Sequence, residues 1–308
     1  MLLYVALLVD FFTFEEYSIF QKYMFEGLLL KLFILVNGLG AASGLVYHKN
    51  QVYVVADDLP YIYSYNLKNS QQRQYALKTI IPINEMKRSD KLDVESLVYH
   101  KNKIYGLGSG SKSNRNEFHV LDLKSKETLR YDLTKLYQEV RTRLEIDEKD
   151  FNIEGFQYHK GKSYLFNRGN GKNNLNAIIT FEGLPHESDL NELKLIQIKL
   201  PEINGYLTTF SDAIILKNKI YYTATIEAES TVQKDGEVKE SILGLIDLKT
   251  FKVESYQIIA QNQKIEGLTL YKKSCKDLTF LFSEDNDDDS KESKIYQLKV
   301  SKDLKEIK

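Results

Sequence analysis

The chain has 308 residues, of which 43% are hydrophobic, enough for a sizeable core and too many for a mainly disordered chain. Lys and Arg number 42 against 43 Asp and Glu, so no global field draws the protein towards nucleic acid or an anionic membrane, and any charged site must be local. The single cysteine, Cys275, excludes an internal disulfide framework and multi-cysteine zinc sites. It suits a reducing compartment, so we predict a cytoplasmic location.

The first residues, MLLYVALLVDFF, resemble a targeting segment only superficially. No basic region precedes the apolar run, Asp10 interrupts it, and no small-residue cleavage site follows. A bilayer span needs about 20 apolar residues. We therefore predict a non-cleaved N-terminal extension over 1–28 and a single domain over 29–308. A membrane-surface anchor is less favoured because Glu15, Glu16 and Glu26 stand where basic residues are expected. A start codon assigned too far upstream would give the same pattern.

Five segments of the chain resemble one another. They begin at Ser43, Glu95, Glu154, Asp212 and Glu266, and successive starts lie between 52 and 59 residues apart. In each copy an apolar run reaches a Lys, Asn or Gly turn and a second apolar run returns, which indicates a β-hairpin. A third strand follows in every copy and a fourth in most. The repeat predicts an all-β fold, a five-bladed β-propeller of four-stranded blades.

The last copy ends without a convincing fourth strand, whereas the run KLFILV at 31–36 is a spare strand. Pairing this N-terminal strand with the last blade would close the ring and remove an exposed sheet edge. A twisted β-sandwich is the alternative, but one missing and one spare strand favour closure. The run TKLYQEVRTRL has apolar residues at helical spacing and predicts one inserted helix near 134–144.

The connections differ in length between the two faces of the predicted ring. The hairpin turns are short and alike, and His48, His100 and His159 fall in them, where we expect turn residues and not ligands or bases. The other connections are long and varied. Binding residues sit preferentially on such loops over a rigid scaffold, so we expect the site on this long-loop face.

The start of each predicted inner strand is acidic in four copies of five. The candidate metal ligands are Ser43, Glu95, Glu154, Asp212 and Glu266. Like charges at close quarters raise one another's pKa unless something compensates, and Ca²⁺ with its oxygen ligands is the natural candidate cofactor. Mg²⁺ and Mn²⁺ accept the same ligands and stay open. The alternative is a channel capped by water or paired with Lys and Arg.

A second ring of polar residues follows where the second strands return to the same face. Its candidate members are Asp57, Asp58, Ser109, Arg168, Asn170, Glu227 and Asp285. Asp57 or Asp58 is a candidate general base, and Arg168 is a candidate clamp for the phosphate or carboxylate of a small anionic ligand. The other four are candidate ligand-binding residues.

The motifs ASGLVY, VVADD, LGSGS, NIEGF, NRGN, FSDA and KIEGL resemble a family of uncharacterised bacterial β-propeller proteins of unknown function, over roughly 37–290. This resemblance implies the fold and no activity. More remotely, the chain is similar to the calcium-activated nucleotidases (apyrases) and to the esterase-like phytase propellers. The nucleotidases hold a central Ca²⁺ through Ser and Glu at strand starts, so this likeness implies the same ring here, with Asp212 or its neighbour Ser211 standing where that family has Ser.

Two functions of different class stay open. One is a metal-dependent phosphoester hydrolase or related lyase, in which Ca²⁺ at the channel mouth polarises an oxygen of the substrate. The other is a non-catalytic propeller with a structural metal, whose long-loop face binds a ligand or a protein. No nucleic-acid partner and no membrane span are expected, and the oligomeric state is left open.

Overall fold

The computed structural model describes residues 30–77, 91–228, 237–286, 292–302 and 304. The predicted N-terminal extension, 1–28, lies outside these residues. The described chain forms five four-stranded antiparallel sheets arranged as the blades of a propeller, so the predicted fold class is confirmed. Within the described ranges, no helix is both long enough and apolar enough to cross a membrane.

The first four blades each use four consecutive strands, with the inner strand first. Blade 1 comprises Ala42–His48, Gln51–Ala56, Tyr61–Asn66 and Gln72–Ala76. Blade 2 comprises Val94–His100, Lys103–Gly108, Glu117–Asp122 and Thr128–Asp132. Blade 3 comprises Ile153–His159, Lys162–Asn167, Ala177–Glu182 and Lys194–Gln197. Blade 4 comprises Thr209–Leu216, Lys219–Ala228, Glu237–Asp247 and Val253–Gln261.

Blade 5 is built from both ends of the described chain. Its first three strands are Lys264–Lys273, Asp277–Asp285 and Glu292–Ser301, and the outer strand is Lys31–Asn37, antiparallel to the third. The inner strand of blade 1 contacts the inner strands of blades 2 and 5, so the ring is closed. The prediction that KLFILV completes the last blade is confirmed.

The core lies between adjacent blades, where the faces of neighbouring sheets pack together. Between blades 2 and 3, for example, the rings of Phe118 and Phe156 meet edge to face with centroids 5.8 Å apart, and both are fully buried. Edge-to-face pairs of this kind favour a fixed angle between the two sheets. Each blade junction therefore has its own apolar cluster.

The predicted helix is present as Thr134–Leu144, on the link between blades 2 and 3. Tyr137 and Val140 face the core, and the Tyr137 hydroxyl donates to the Gly108 carbonyl over 2.7 Å. This contact fixes the helix to the long-loop end of blade 2. In the described ranges a 3-10 helix, Glu148–Asp150, follows on the same link, and two more, Ser113–Arg115 and Pro185–Glu187, lie in other connections.

A further two-stranded hairpin, Glu202–Ile203 with Tyr206–Leu207, lies on the link between blades 3 and 4. Its turn residues Asn204 and Gly205 have φ of 54° and 82°. Asn-Gly with two positive φ values is the preferred sequence for a tight type I′ hairpin turn. This hairpin exposes the side chains of Tyr206 and Leu207.

Candidate functional site

Every inner strand breaks register with its neighbour near the long-loop face. The residues skipped by the pairing lie between Ala42 and Leu45, Val94 and Ser96, Ile153 and Gly155, Phe210 and Asp212, and Ile265 and Leu268. A β-bulge leaves a residue unpaired and re-aims its side chain, which is why bulges recur beside functional sites. The equivalent bulge residues are Ser43, Glu95, Glu154, Ser211 and Glu266. We call these five positions the bulge ring.

The register places Ser211, and not Asp212, at the blade 4 position of the bulge ring. Asp212 pairs with Thr223 one residue further along. The alignment of the five repeats, which placed Asp212 level with the ring glutamates, was therefore wrong by one residue. It followed the acidic side chain alone. The ring contains three glutamates and two serines.

Asp212 instead joins two blades. Its carboxylate accepts N–H bonds from Leu268 of blade 5 over 2.9 Å and from its neighbour Ala213 over 2.8 Å. The Ser96 hydroxyl, one residue past the bulge in blade 2, likewise accepts the N–H of Phe156 in blade 3 over 3.0 Å. Burial raises the pKa of the Asp212 carboxyl well above its usual value. The contacts of Asp212 are therefore those of a structural hydrogen-bond acceptor between inner strands.

At two other junctions the residue after the bulge is glycine because the neighbouring backbone is close. A Cβ at Gly267 would lie 2.5 Å from the Ser43 carbonyl oxygen, and one at Gly44 would lie 2.9 Å from the Leu97 nitrogen. The small residues after the ring acids thus let the inner strands approach one another.

Glu154 is paired within the ring. Its Oε1 accepts from Asn152 Nδ2 over 2.7 Å and from Arg168 Nη1 over 3.2 Å. The other terminal nitrogen of Arg168 donates to Glu227 of blade 4, and its Nε donates to Thr209 over 3.3 Å. The predicted clamp Arg168 thus lies beside the bulge ring, where it binds two buried carboxylates.

Glu266 has a cation of its own. Lys264 Nζ lies 3.0 Å from Glu266 and 2.9 Å from Asp285 Oδ2. Burial alone would lower the pKa of Lys264, but the two carboxylates raise it well above its usual value. Lys264 is therefore a buried cation held between two candidate site residues.

Glu95 differs from the other two ring glutamates. It is partly exposed, and within the described part of the chain no hydrogen bond or ion pair of its side chain is found. Burial raises the pKa of Glu95 well above its usual value, and the charges of Glu154, Asp93 and Glu266 add to the effect. A carboxylate in this environment lacks a cation and holds its proton more tightly than an exposed one.

Beside Glu95, Asp93 is buried in a polar network. It accepts from Arg115 Nη1 over 2.7 Å and from the Ser109 hydroxyl, and Ser109 Oγ lies 2.8 Å from Ser111 Oγ. Asp93 adopts a φ of 54°, a left-handed conformation that is uncommon outside Gly, Asn and Asp. The predicted ligand residue Ser109 is thus already bonded to Asp93.

The two candidate bases lie at the rim. Asp57 Oδ2 lies 2.8 Å from Lys91 Nζ. Burial raises the pKa of Asp58 above its usual value, and the charge of the neighbouring Asp57 adds to the effect. One oxygen of each carboxylate is buried with no hydrogen-bond partner in the described structure.

Asn170 lies on a loop that the side chains of Asn167 and Asn176 hold in place. Asn167 Nδ2 donates to the carbonyls of Asp150 and Leu175 over 2.8 Å each, and Asn176 Oδ1 accepts the Gly169 N–H over 3.0 Å. Asn170 is 8% exposed, and within the described structure its amide oxygen has no hydrogen-bond partner. A buried, unused acceptor on a rigid loop is typical of a preorganised binding position.

The sequence reasoning missed a third ring, two residues before each bulge. These positions are Ala41, Asp93, Asn152, Thr209 and Lys264. Four of the five carry polar side chains that bond Ser109, Glu154, Arg168 or Glu266. The spacing could have indicated this ring, since residues two apart on a strand share a face.

The predicted metal site stays a prediction. Among the described residues, no group of three or more His, Cys, Asp or Glu side chains is spaced to hold a metal ion. The ring glutamates of blades 3 and 5 contact Arg168 and Lys264. The three turn histidines lie where they were expected, at the opposite ends of the inner strands from the ring.

Solved structures with similar folds share little sequence with this chain. Glutaminyl cyclase of Myxococcus xanthus is 12% identical with a TM-score of 0.49, the match covering 89% of this chain and 98% of that one. A nidogen/laminin complex chain is 12% identical with a TM-score of 0.44, covering 80% and 75%. A DUF4221 family member from Bacteroides vulgatus is 11% identical with a TM-score of 0.39, covering 88% and 78%.

No curated protein sequence matches this chain. One family model does, over residues 38–300, which include all five inner strands with their bulges. The chain belongs to this family of unknown function, DUF6929.

Proposed function

We propose that this protein binds a small ligand at the long-loop mouth of the channel and that a positively charged group of the ligand, an organic ammonium, contacts Glu95. The proposal concerns what we call the channel-mouth cluster. Its carboxylates are Asp57, Asp93, Glu95, Glu154, Glu227, Glu266 and Asp285, and its cations are Lys91, Arg115, Arg168 and Lys264. With three more carboxylates than cations, the cluster attracts a positive charge.

The four cations of the cluster already have carboxylate partners. Lys91 pairs with Asp57, Arg115 with Asp93, and Arg168 and Lys264 with two carboxylates each. An anionic ligand would have to displace one of these pairs, and breaking a buried pair is costly. This argument favours a cationic ligand over the small anionic ligand expected from the sequence.

Glu95 is the observation that carries the proposal. It is the ring glutamate without a cation in the described structure, and burial, with the charges of Glu154, Asp93 and Glu266 adding to it, raises its pKa. An ammonium group beside it would favour the ionised carboxylate and remove this cost. Asn170 offers its amide oxygen as a second acceptor on the same face.

Thermal unfolding of the full chain with a panel of primary amines, diamines and amino acids tests this. A ligand at a hundred times its dissociation constant stabilises the folded state by about 2.7 kcal/mol. We expect at least one amine to raise the Tm of the wild type and not that of Glu95→Gln. The proposal fails if no amine shifts the Tm, or if Glu95→Gln responds like the wild type.

A calcium-dependent phosphoester hydrolase is a second candidate, supported by the mutual charge effects of Glu95, Glu154 and Glu266. In it the bulge ring would bind Ca²⁺, Asp57 or Asp58 would act as general base, and Arg168 would have to exchange a carboxylate for the substrate anion. Ca²⁺ binding would lower the pKa of the ring carboxyls.

The same unfolding assay with Ca²⁺, Mg²⁺ and Mn²⁺ tests this second candidate. This candidate function requires that one of these ions raises the Tm of the wild type and not that of Glu154→Gln. It also requires that the wild type turns over a phosphoester. If none of the three ions shifts the Tm, the proposal of a metal-dependent hydrolase is wrong. A structural metal in a binding propeller would give the shift without turnover.

A further inference from the structure

The opposite end of the channel has the opposite charge. Each inner strand ends there in a tight turn to the second strand, and we call these five segments the inner turns: 48–51, 100–103, 159–162, 216–219 and 272–277. They contain ten lysines, no arginine and one acidic residue, Asp277, which pairs with Lys299 over 2.8 Å. The chain as a whole has a net charge of −1, so this concentration of lysine is local.

The turn geometry holds these lysines outward. In blades 1 to 4 the first turn residue is a lysine with positive φ, between 44° and 58°, and it is exposed. Those four are Lys49, Lys101, Lys160 and Lys217. Blade 5 adds Lys272, Lys273 and Lys276, all exposed. No carboxylate neutralises these seven side chains in the described structure.

Aromatic contacts hold neighbouring inner turns together. His48 stacks on Tyr99 with centroids 3.7 Å apart, and His100 meets Tyr158 edge to face at 4.9 Å. Tyr47 and Tyr271 meet in the same way at 5.0 Å, across the junction of blades 1 and 5. Half-buried tyrosines therefore lie among the lysines, in a ring that spans adjacent blades. Apart from Asp277, the acidic residues of this face lie in the outer hairpins: Asp122 and Glu127 in blade 2, Glu182, Glu187, Asp189 and Glu192 in blade 3, and Asp247 in blade 4.

We propose that the inner turns dock the protein on an anionic lipid bilayer. The lysines surround the channel end in a ring, a shape suited to a flat charged surface, whereas nucleic-acid sites are basic stripes or grooves. Lysine is a point charge, and the absence of arginine removes the bidentate contacts that read bases and clamp single phosphates. Tyrosine is a side chain enriched at membrane interfaces.

Vesicle co-sedimentation of the full chain tests the proposal. The probes are vesicles of phosphatidylcholine alone and with phosphatidylserine at about the fraction found in cytoplasmic leaflets. We expect binding only to the vesicles with phosphatidylserine, weakened by salt because surface charges are screened. The variant carries Lys49→Asn, Lys101→Asn, Lys160→Asn and Lys217→Asn, since Asn tolerates positive φ. Its affinity should fall by about tenfold or more.

The matched control removes four exposed lysines from the long-loop side: Lys112→Gln, Lys135→Gln, Lys172→Gln and Lys199→Gln. It has the same net charge as the variant and should bind like the wild type. Equal loss in both variants, or no binding of the wild type to vesicles with phosphatidylserine, overturns the proposal. So does binding to a DNA or RNA oligonucleotide without binding to vesicles. Unfolding curves of both variants check that each is folded.

Discussion

Arg168 of blade 3 donates a hydrogen bond to the carboxylate of Glu227 in blade 4, so a buried ion pair crosses the junction between two blades. The same guanidinium binds Glu154 in its own blade. Replacing Arg168 by Met should lower the free energy of unfolding by about 3–5 kcal/mol, because two buried carboxylates lose their cation. Urea unfolding measures this.

The matched control for this prediction is Arg143→Met. Arg143 forms an exposed pair with Glu139 one helical turn away. Exposed pairs of this kind contribute about 0.5 kcal/mol or less. A loss for Arg168→Met as small as that for Arg143→Met would show that the channel-mouth carboxylates do not depend on this cation.

The charge state of Glu95 predicts how stability varies with pH. The pKa of Glu95 is raised in the folded chain, mainly by burial, so the folded state binds more protons than the unfolded state above the usual Glu pKa of about 4.3. Stability of the ligand-free protein should therefore fall as pH rises from about 4.3 towards the raised pKa. Glu95→Gln should flatten this slope, which unfolding at a series of pH values measures. An unchanged slope in the variant contradicts the assignment.

Asp212 is predicted to act in packing and not in binding. Asp212→Ala leaves the N–H groups of Leu268 and Ala213 without their acceptor and should cost about 1–3 kcal/mol. Asp212→Asn keeps an acceptor oxygen and should cost less. Neither change should alter the Tm response to amines. Loss of a Ca²⁺ response in Asp212→Asn would instead favour the ligand role first assigned to Asp212.

Closure of the ring can be tested within one strand. Val36 is fully buried in the outer strand of blade 5, and its neighbour Leu35 is 41% exposed. Val36→Asp buries an unpaired charge and should cost about 3 kcal/mol or more, whereas Leu35→Asp should change stability by about 0.5 kcal/mol. Similar effects of the two substitutions would mean that this strand does not complete the blade in solution.

The fold was predictable from the sequence because the same strand pattern recurs in five copies. Alternating apolar strands, Lys-Asn turns and one spare N-terminal strand sufficed to derive the blades and the closure. The helix Thr134–Leu144 followed from its own spacing. Local signals of this kind do not depend on the rest of the chain.

The candidate site was only partly predictable. The ring position of Glu95, Glu154 and Glu266 was visible as a repeated acid. The ion pairs that join them to the rest of the site were not, because Lys264 pairs with Asp285 and Arg168 with Glu227 across gaps of 21 and 59 residues. The one-residue shift at Asp212 was also hidden, since a β-bulge changes register without changing composition.

The strand Lys31–Asn37 is among the first parts of the domain to leave the ribosome, and its partner Glu292–Ser301 is among the last. Until translation is almost complete, the fifth blade lacks its outer strand and the early strand has no place to pair. An unpaired strand invites pairing with another chain. Two nascent copies on one message can therefore exchange these strands, and a circular permutant that begins in another blade should avoid this exchange.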